Sequence, residues 1–289
     1  MVLLWSSLAT KDARLAVQSL RRMRPIPAET SWVTYVRCHD DIGWAVSDGD
    51  ADAVGWNAFH HRQFLNDYYS GRFPMSSAQG ALFQENPATG DARISGSAAA
   101  LTGIADALDR GDPDALEVGI RRLVLLYSVA YAFGGVPLLY MGDELALRND
   151  VSYSADPTLA ADNRWMHRPW MDWDAASRRD DPTTVEGQVF GWMRVLGTVR
   201  RGIEALRTGG ETAIVGVDNP HILAWRRRHP RSGNFVGLAN FSESEQSFDL
   251  GVLEGLGWLE TVLSSDGPVA MLHGRAYLPG LGFAWLAER

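Results

Sequence analysis

Apolar Leu4, Leu8, Leu15 and Leu20 recur among polar positions through LLWSSLATKDARLAVQSLRRM, the spacing of an amphipathic helix. The pattern then changes. SWVTYVRCHDD is β-branched and aromatic and predicts a strand that ends in a polar cluster. From residue 45 to about 110, DADAVGWNAFHHRQFLNDYYSGRF predicts helix, and a Gly-, Ser- and Pro-rich stretch with NPATGDARISGSAAAL follows. This is an insertion with structure of its own, because structureless loops of such length are rare. In RGDPDALEVGIRRLVLLYSVAYAFGG, Asp112 can cap a helix, Pro113 suits its first turn and the Gly pair stops it. VPLLYMGDEL predicts a buried parallel strand, again with carboxylates at its C-terminal end. A polar, Trp-rich loop, SADPTLAADNRWMHRPWMDWD, leads to a helix in DPTTVEGQVFGWMRVLGTVRRGIEAL. From about residue 207 the segments ETAIVGV, HILAWRRRH, NFVGLANFS, QSFDL, GWLETVL and RAYLPGLGFAWLAE predict short strands joined by turns, an antiparallel β domain of the sandwich type.

Helix–strand alternation with polar residues at strand ends is how a (β/α) barrel displays a site. Only two strands of that type are present, and eight are needed to close a barrel. The chain of 289 residues, 46% hydrophobic and 21% charged, is globular. A net charge of −8 argues against nucleic-acid or anionic-membrane partners. A single cysteine, Cys38, excludes an internal disulfide and a Cys-based zinc site, and reads as a small buried residue rather than a nucleophile. MVLLW has no basic n-region and is too short for a signal peptide, and no apolar run is long enough to span a membrane, so a cytoplasmic location is expected.

Adjacent Asp40 and Asp41 at a strand end leave three readings open. They can form a turn or helix cap. They can bind a metal with His39 and His60 or His61, although no metal-site spacing supports this. They can serve sugar chemistry, where a carboxylate beside the anomeric carbon stabilises an oxocarbenium-like state. Successive strand side chains point to opposite faces, so both Asp aim at one atom only if the strand has already ended. Otherwise one binds and the other supports a neighbouring subsite.

WVTYVRCHDDIGW resembles the fourth signature region of the α-amylase family (glycoside hydrolase family 13), and more closely its amylosucrase subfamily. HRQFLN, FQENPATGDARISGSAAAL, GGVPLLYMGDEL, DNRWMHRP and NFSE resemble amylosucrase segments in the same order. The resemblance implies an α/β fold: the C-terminal part of a (β/α)8 TIM barrel, then an antiparallel β-sandwich. It divides the chain into barrel helix 6 and strand 7 (1–46), an insertion after strand 7 (47–111), barrel helix 7, strand 8 and helix 8 (112–206), and the C-terminal β domain (207–289).

The resemblance also implies roles. Asp40 matches the transition-state stabiliser and His39 the histidine that hydrogen-bonds the glucosyl ring. Asp41 and Arg93 match positions on the fructosyl or acceptor side. Arg164 matches an arginine that pairs with an upstream Asp and closes the pocket floor. Asp143 and Glu144 take a supporting part, and Arg62 is a candidate oligosaccharide contact. Trp165, Trp170 and Trp173 read either as a sugar platform or as buried anchors of their loop. The expected ligands are sucrose and α-glucan, with no cofactor and no metal.

Retaining chemistry needs a nucleophilic Asp and an acid/base Glu about 5–5.5 Å apart. In the family both precede the matched region, and nothing in this sequence takes their place. The Asp expected to pair with Arg164 is missing as well. The expectation is therefore the C-terminal portion of a sucrose glucosyltransferase, inactive alone, with the absent barrel segment as a candidate separate chain. A sucrose hydrolase, another α-amylase-type glycosidase and a non-catalytic glucan-binding remnant are the alternatives.

Overall fold

The computed structural model describes residues 1–24, 26–27 and 30–288. Along the chain come α1 (Val2–Thr10), α2 (Arg14–Arg21), β1 (Val33–Tyr35) and β2 (Ile42–Gly43). Next are α3 (Asp48–Ala53), α4 (Ala58–Tyr69), β3 (Ala81–Phe83), β4 (Arg93–Ser95), α5 (Ala98–Thr102) and α6 (Ile104–Arg110). The middle holds α7 (Pro113–Ala132), β5 (Val136–Leu138), α8 (Trp173–Ser177) and α9 (Val185–Gly202). The remainder is β6 (Glu211–Val215), β7 (Ile222–His229), β8 (Gly233–Asn240), β9 (Gln246–Asp249), β10 (Leu259–Ser264), β11 (Ala270–Leu272), β12 (Arg275–Leu278) and β13 (Phe283–Glu288). Two compact units result: Met1–Val2, Val36–Val124 and Leu139–Arg194 form the first, and Leu3–Tyr35, Leu125–Leu138 and Val195–Arg289 the second.

In the first unit, residues 47–111 form helices and short strands. Ser47, Asn57 and Ser97 accept the first-turn N–H groups of α3, α4 and α5. Strands β2, β4 and β3 form a small antiparallel sheet, with Ile42 opposite Ile94 and Ile94 opposite Leu82. Trp44 leaves β2 into the core, stacks on Tyr69 at 5.5 Å and donates its indole N–H to buried Asn66 at 2.8 Å.

The second unit carries two antiparallel sheets, of order β10-β13-β8-β7-β6 and β11-β12-β9. One buried cluster draws Ile222, Val236 and Leu286 from the first sheet and Phe248, Ala276 and Leu278 from the second. The other face of β7 presents Trp225, fully buried, whose indole N–H donates to the Ala132 carbonyl at the end of α7. Trp225 pairs across the sheet with Gly237, where a Cβ would lie 2.1 Å from the indole ring. Gly237→Ala is therefore expected to cost about 1–3 kcal/mol by overpacking, read as a lower urea midpoint.

Several expectations need correction. The N-terminal helix is two helices, broken at Lys11, whose φ of 57° is left-handed. The strand predicted over SWVTYVRCHDD is only Val33–Tyr35, so the chain is already irregular at His39, Asp40 and Asp41. RAYLPGLGFAWLAE is two strands, because Pro279 and Gly280 interrupt it. The last long helix stops at Gly202 and a separate 3₁₀ turn follows. The predicted buried parallel strand, β5, is parallel to β1 but not buried. Val33 is 53% and Val136 56% exposed. Among the described residues these two strands pair only with each other, so their outer edges lack the cover a parallel sheet normally has.

Candidate active site

The segment from Val36 to Asp41 runs from the core to the surface: Val36 is buried and Asp40 is exposed. Arg37 is buried and its Nε donates to Asp143 Oδ1 at 2.7 Å. Its Nη1 donates to the His167 carbonyl at 3.1 Å, and its guanidinium lies over the Tyr140 ring at 4.6 Å. Cys38 is half-buried, and His39 and Asp40 are exposed. The His39 carbonyl accepts from Arg168 Nε and meets His167 Nε2 at 3.2 Å. His167 is buried, and its Nδ1 accepts the Gly96 N–H at 3.1 Å. The imidazole thus donates through Nε2 to His39, and one neutral tautomer satisfies both bonds. Burial, followed by the charge of Arg37, lowers His167 to about 4.

A 3₁₀ turn, Asn163–His167, places Arg164 on the opposite side of the same segment. Asp162 grips Arg164 with two bonds, Nε to Oδ1 and Nη2 to Oδ2, each 2.8 Å. The third arm, Nη1, donates to Asp40 Oδ1 at 2.8 Å and lies 3.9 Å from Asp41 Oδ1. Phe83 supports the guanidinium at 4.9 Å. Arg164, expected to be unpaired, is therefore doubly paired. Asp162, two residues before it, supplies the local carboxylate, and the D-x-R spacing could have disclosed that pairing.

Asp40 and Asp41 converge on one guanidinium because β1 ended several residues earlier and strand alternation no longer applies. Asp41's side chain is only 3% exposed, its Oδ2 lies 3.4 Å from Arg93 Nη1, and its Oδ1 is buried without a hydrogen bond. The two carboxyls are driven apart electrostatically. The hydrogen bond from Arg164 holds Asp40 down to about 2. Burial, and then the shared proton and charge of Asp40, push Asp41 up. One exposed anion thus stands beside one buried carboxyl able to carry a proton.

His39, Asp40, Asp41, Arg93 and Arg164 all belong to the first unit, and Asp40, Asp41, Arg93 and Arg164 are joined by ion pairs. Arg62 is tied to Asp91 at 3.3 Å and Asp48 at 3.8 Å. Glu144 is half-buried, accepts the Gly142 N–H at 2.8 Å and is raised by burial. Trp170 and Trp173, at 92% and 76% exposed, do not anchor their loop by burial. Among the described residues no three His, Cys, Asp or Glu side chains gather as metal ligands, and no helix is long and apolar enough to cross a membrane.

No protein-family model matches the sequence. Among solved structures, the chain is similar to a trehalulose synthase mutant, MutB, in complex with Tris, at 19% identity and a TM-score of 0.40, over 57% of this chain and 38% of that one. It is similar to Eubacterium rectale Amy13B at 15% identity and a TM-score of 0.43, over 68% and 37%. It is also similar to the type III pullulan hydrolase from Thermococcus kodakarensis at 22% identity and a TM-score of 0.41, over 60% and 24%. The chain spans less than two-fifths of the length of each of these structures.

Proposed function

We propose that this chain contributes the sugar-binding side of a retaining sucrose glucosyltransferase of the amylosucrase type, which builds α-1,4-glucan. The observation that carries the proposal is the convergence of Asp40, Asp41, Arg93 and Arg164, the positions matched by the sequence resemblance, into one cluster of ion pairs. In this reading Asp40 faces the anomeric carbon. Its carboxylate stays ionised and fixed by Arg164, so it meets the positive charge that develops as the glycosidic bond breaks. His39 holds the glucosyl ring, and Asp41 with Arg93 holds the neighbouring sugar.

In this reading the nucleophilic Asp and acid/base Glu lie on barrel strands outside these 289 residues. The exposed β1–β5 pair supports this, since a parallel sheet is stable when its neighbours cover it. In this reading residues 1–46 and 112–206 belong to the barrel, 47–111 to the insertion and 207–289 to the sandwich domain. Exposed Trp170 and Trp173 favour a second reading, in which the fragment only binds glucan.

Sucrose turnover tests the proposal. The purified chain is expected to release neither fructose nor glucose. Adding a polypeptide that carries the earlier barrel strands is expected to restore fructose release in excess of glucose. Release by the chain alone would show that its own residues complete the chemistry. A stable complex that remains inactive while the chain binds glucan would leave the second reading.

A further inference from the structure

A cavity of about 640 Å³ in the second unit is lined by Arg200, Arg207, Arg231 and His229, and Glu204 is the acidic residue on its wall among the described residues. Three guanidinium groups thus face one carboxylate, in a chain whose net charge is −8. Glu204 lies 3.6 Å from Arg207, and both are well exposed. Among the described residues Arg200 has no carboxylate partner. It donates Nη1 to the Tyr131 carbonyl and Nη2 to the carbonyls of Gly135 and Leu206, at 2.6 and 3.2 Å for the last two. Next to this wall is Arg227, only 5% exposed. It too is held by neutral acceptors: the carbonyls of Ala205 and Arg207 and the Thr212 hydroxyl, at 2.8–2.9 Å. Burial, and then the charge of Arg200, lowers Arg227, so the two cations sense each other.

The carbonyl end of α7 explains part of this arrangement. A helix C-terminus supplies about half a negative charge, and Arg200 sits against the last carbonyls of α7. Positive charge is still left over, and a desolvated charge without a counter-charge is costly. Arg207 and Arg231 are exposed and have N–H groups to spare for a ligand.

We propose that this cavity binds a phosphate group, as inorganic phosphate or as the phosphate of a phosphorylated sugar. Arg207 and Arg231 contact its oxygens as planar forks, and Arg200 supplies charge from the wall. A doubly charged oxyanion matches the excess positive charge. The volume exceeds that of a bare ion and leaves room for an attached sugar. The site is separate from the Asp40 cluster and does not rest on the sugar-transfer reading.

The test is a calorimetric titration of the whole chain with inorganic phosphate, with glucose 6-phosphate and with glucose, at constant ionic strength. Saturable binding of one or both phosphates is expected, with no heat from glucose at this site. The double variant R207A/R231A, both exposed and so expected to fold, is expected to weaken binding about tenfold or more. Equal affinities would identify the free anion as the ligand. A clear preference for glucose 6-phosphate would identify the phosphomonoester. No saturable phosphate binding by about 10 mM, or binding unchanged in the folded double variant, would overturn the proposal.

Discussion

Asp143→Ala is expected to lower the stability of the first unit by about 3–5 kcal/mol, the usual cost of stranding one member of a buried ion pair. Arg37 and Asp143 are 2% and 1% exposed, and their 2.7 Å bond is the main neutralisation of the Arg37 charge. Without Asp143 the guanidinium keeps carbonyls, the Tyr140 face and the more distant charge of Glu144, with no direct carboxylate partner among the described residues. Urea unfolding followed by Trp fluorescence measures the effect as a shift in midpoint at constant slope. The double variant Arg37→Met, Asp143→Leu separates charge from packing. It is expected to recover most of the loss, because a matched apolar pair leaves no buried charge. A loss below about 1 kcal/mol in Asp143→Ala would mean that water reaches the pair in solution. The prediction bears on function as well, since Arg37 also holds the His167 carbonyl and stands two residues from His39. Breaking the pair releases the segment on which Asp40 is presented.

The sequence could announce the carboxylates but not their support. HDD at the end of an apolar strand is a local signal, and the strand's early end was the condition under which both Asp could face one group. Arg37 gave no such signal. It reads as an ordinary polar position in a strand, and only its distance from Asp143, 106 residues later, makes it a core residue. The strands β2, β3 and β4 are two or three residues long, too short for any period to register. The exposure of β5 was hidden for the opposite reason. Val-Pro-Leu is as apolar as any buried strand, and what lies beside it depends on which strands are there to pair. The long strands β7 and β8, eight residues each, were legible from their apolar and aromatic residues and from the turn residues that separate them.

Asp40→Asn is expected to preserve the fold and to abolish recognition of positive charge at the site. The side chain is about half exposed, and the Asn carbonyl can still accept from Arg164, so geometry is retained while the charge is lost. The chain as it stands can report this through a cationic iminosugar, which carries positive charge where the glucosyl cation would. Wild-type chain is expected to bind it more tightly than glucose, and Asp40→Asn to lose about a hundredfold of that affinity, the scale of a removed transition-state contact. With the partner segment present, fructose release is expected to fall by the same factor or more. Acidity sets the working range. Asp40 is held down to about 2 by Arg164, so its contribution to stability is present above the ordinary carboxylate range and fades as pH falls toward 2. Asp41 runs the other way. Its carboxyl is raised by burial, so it stabilises the fold when protonated, and that stabilisation is lost as pH rises through its folded value. Asp41→Asn is therefore expected to flatten the rise in instability above the carboxylate range while leaving iminosugar binding dependent on Asp40. Iminosugar affinity that is identical in wild type and Asp40→Asn, with both folded, would remove Asp40 from the charge-stabilising role and with it the sugar-transfer reading.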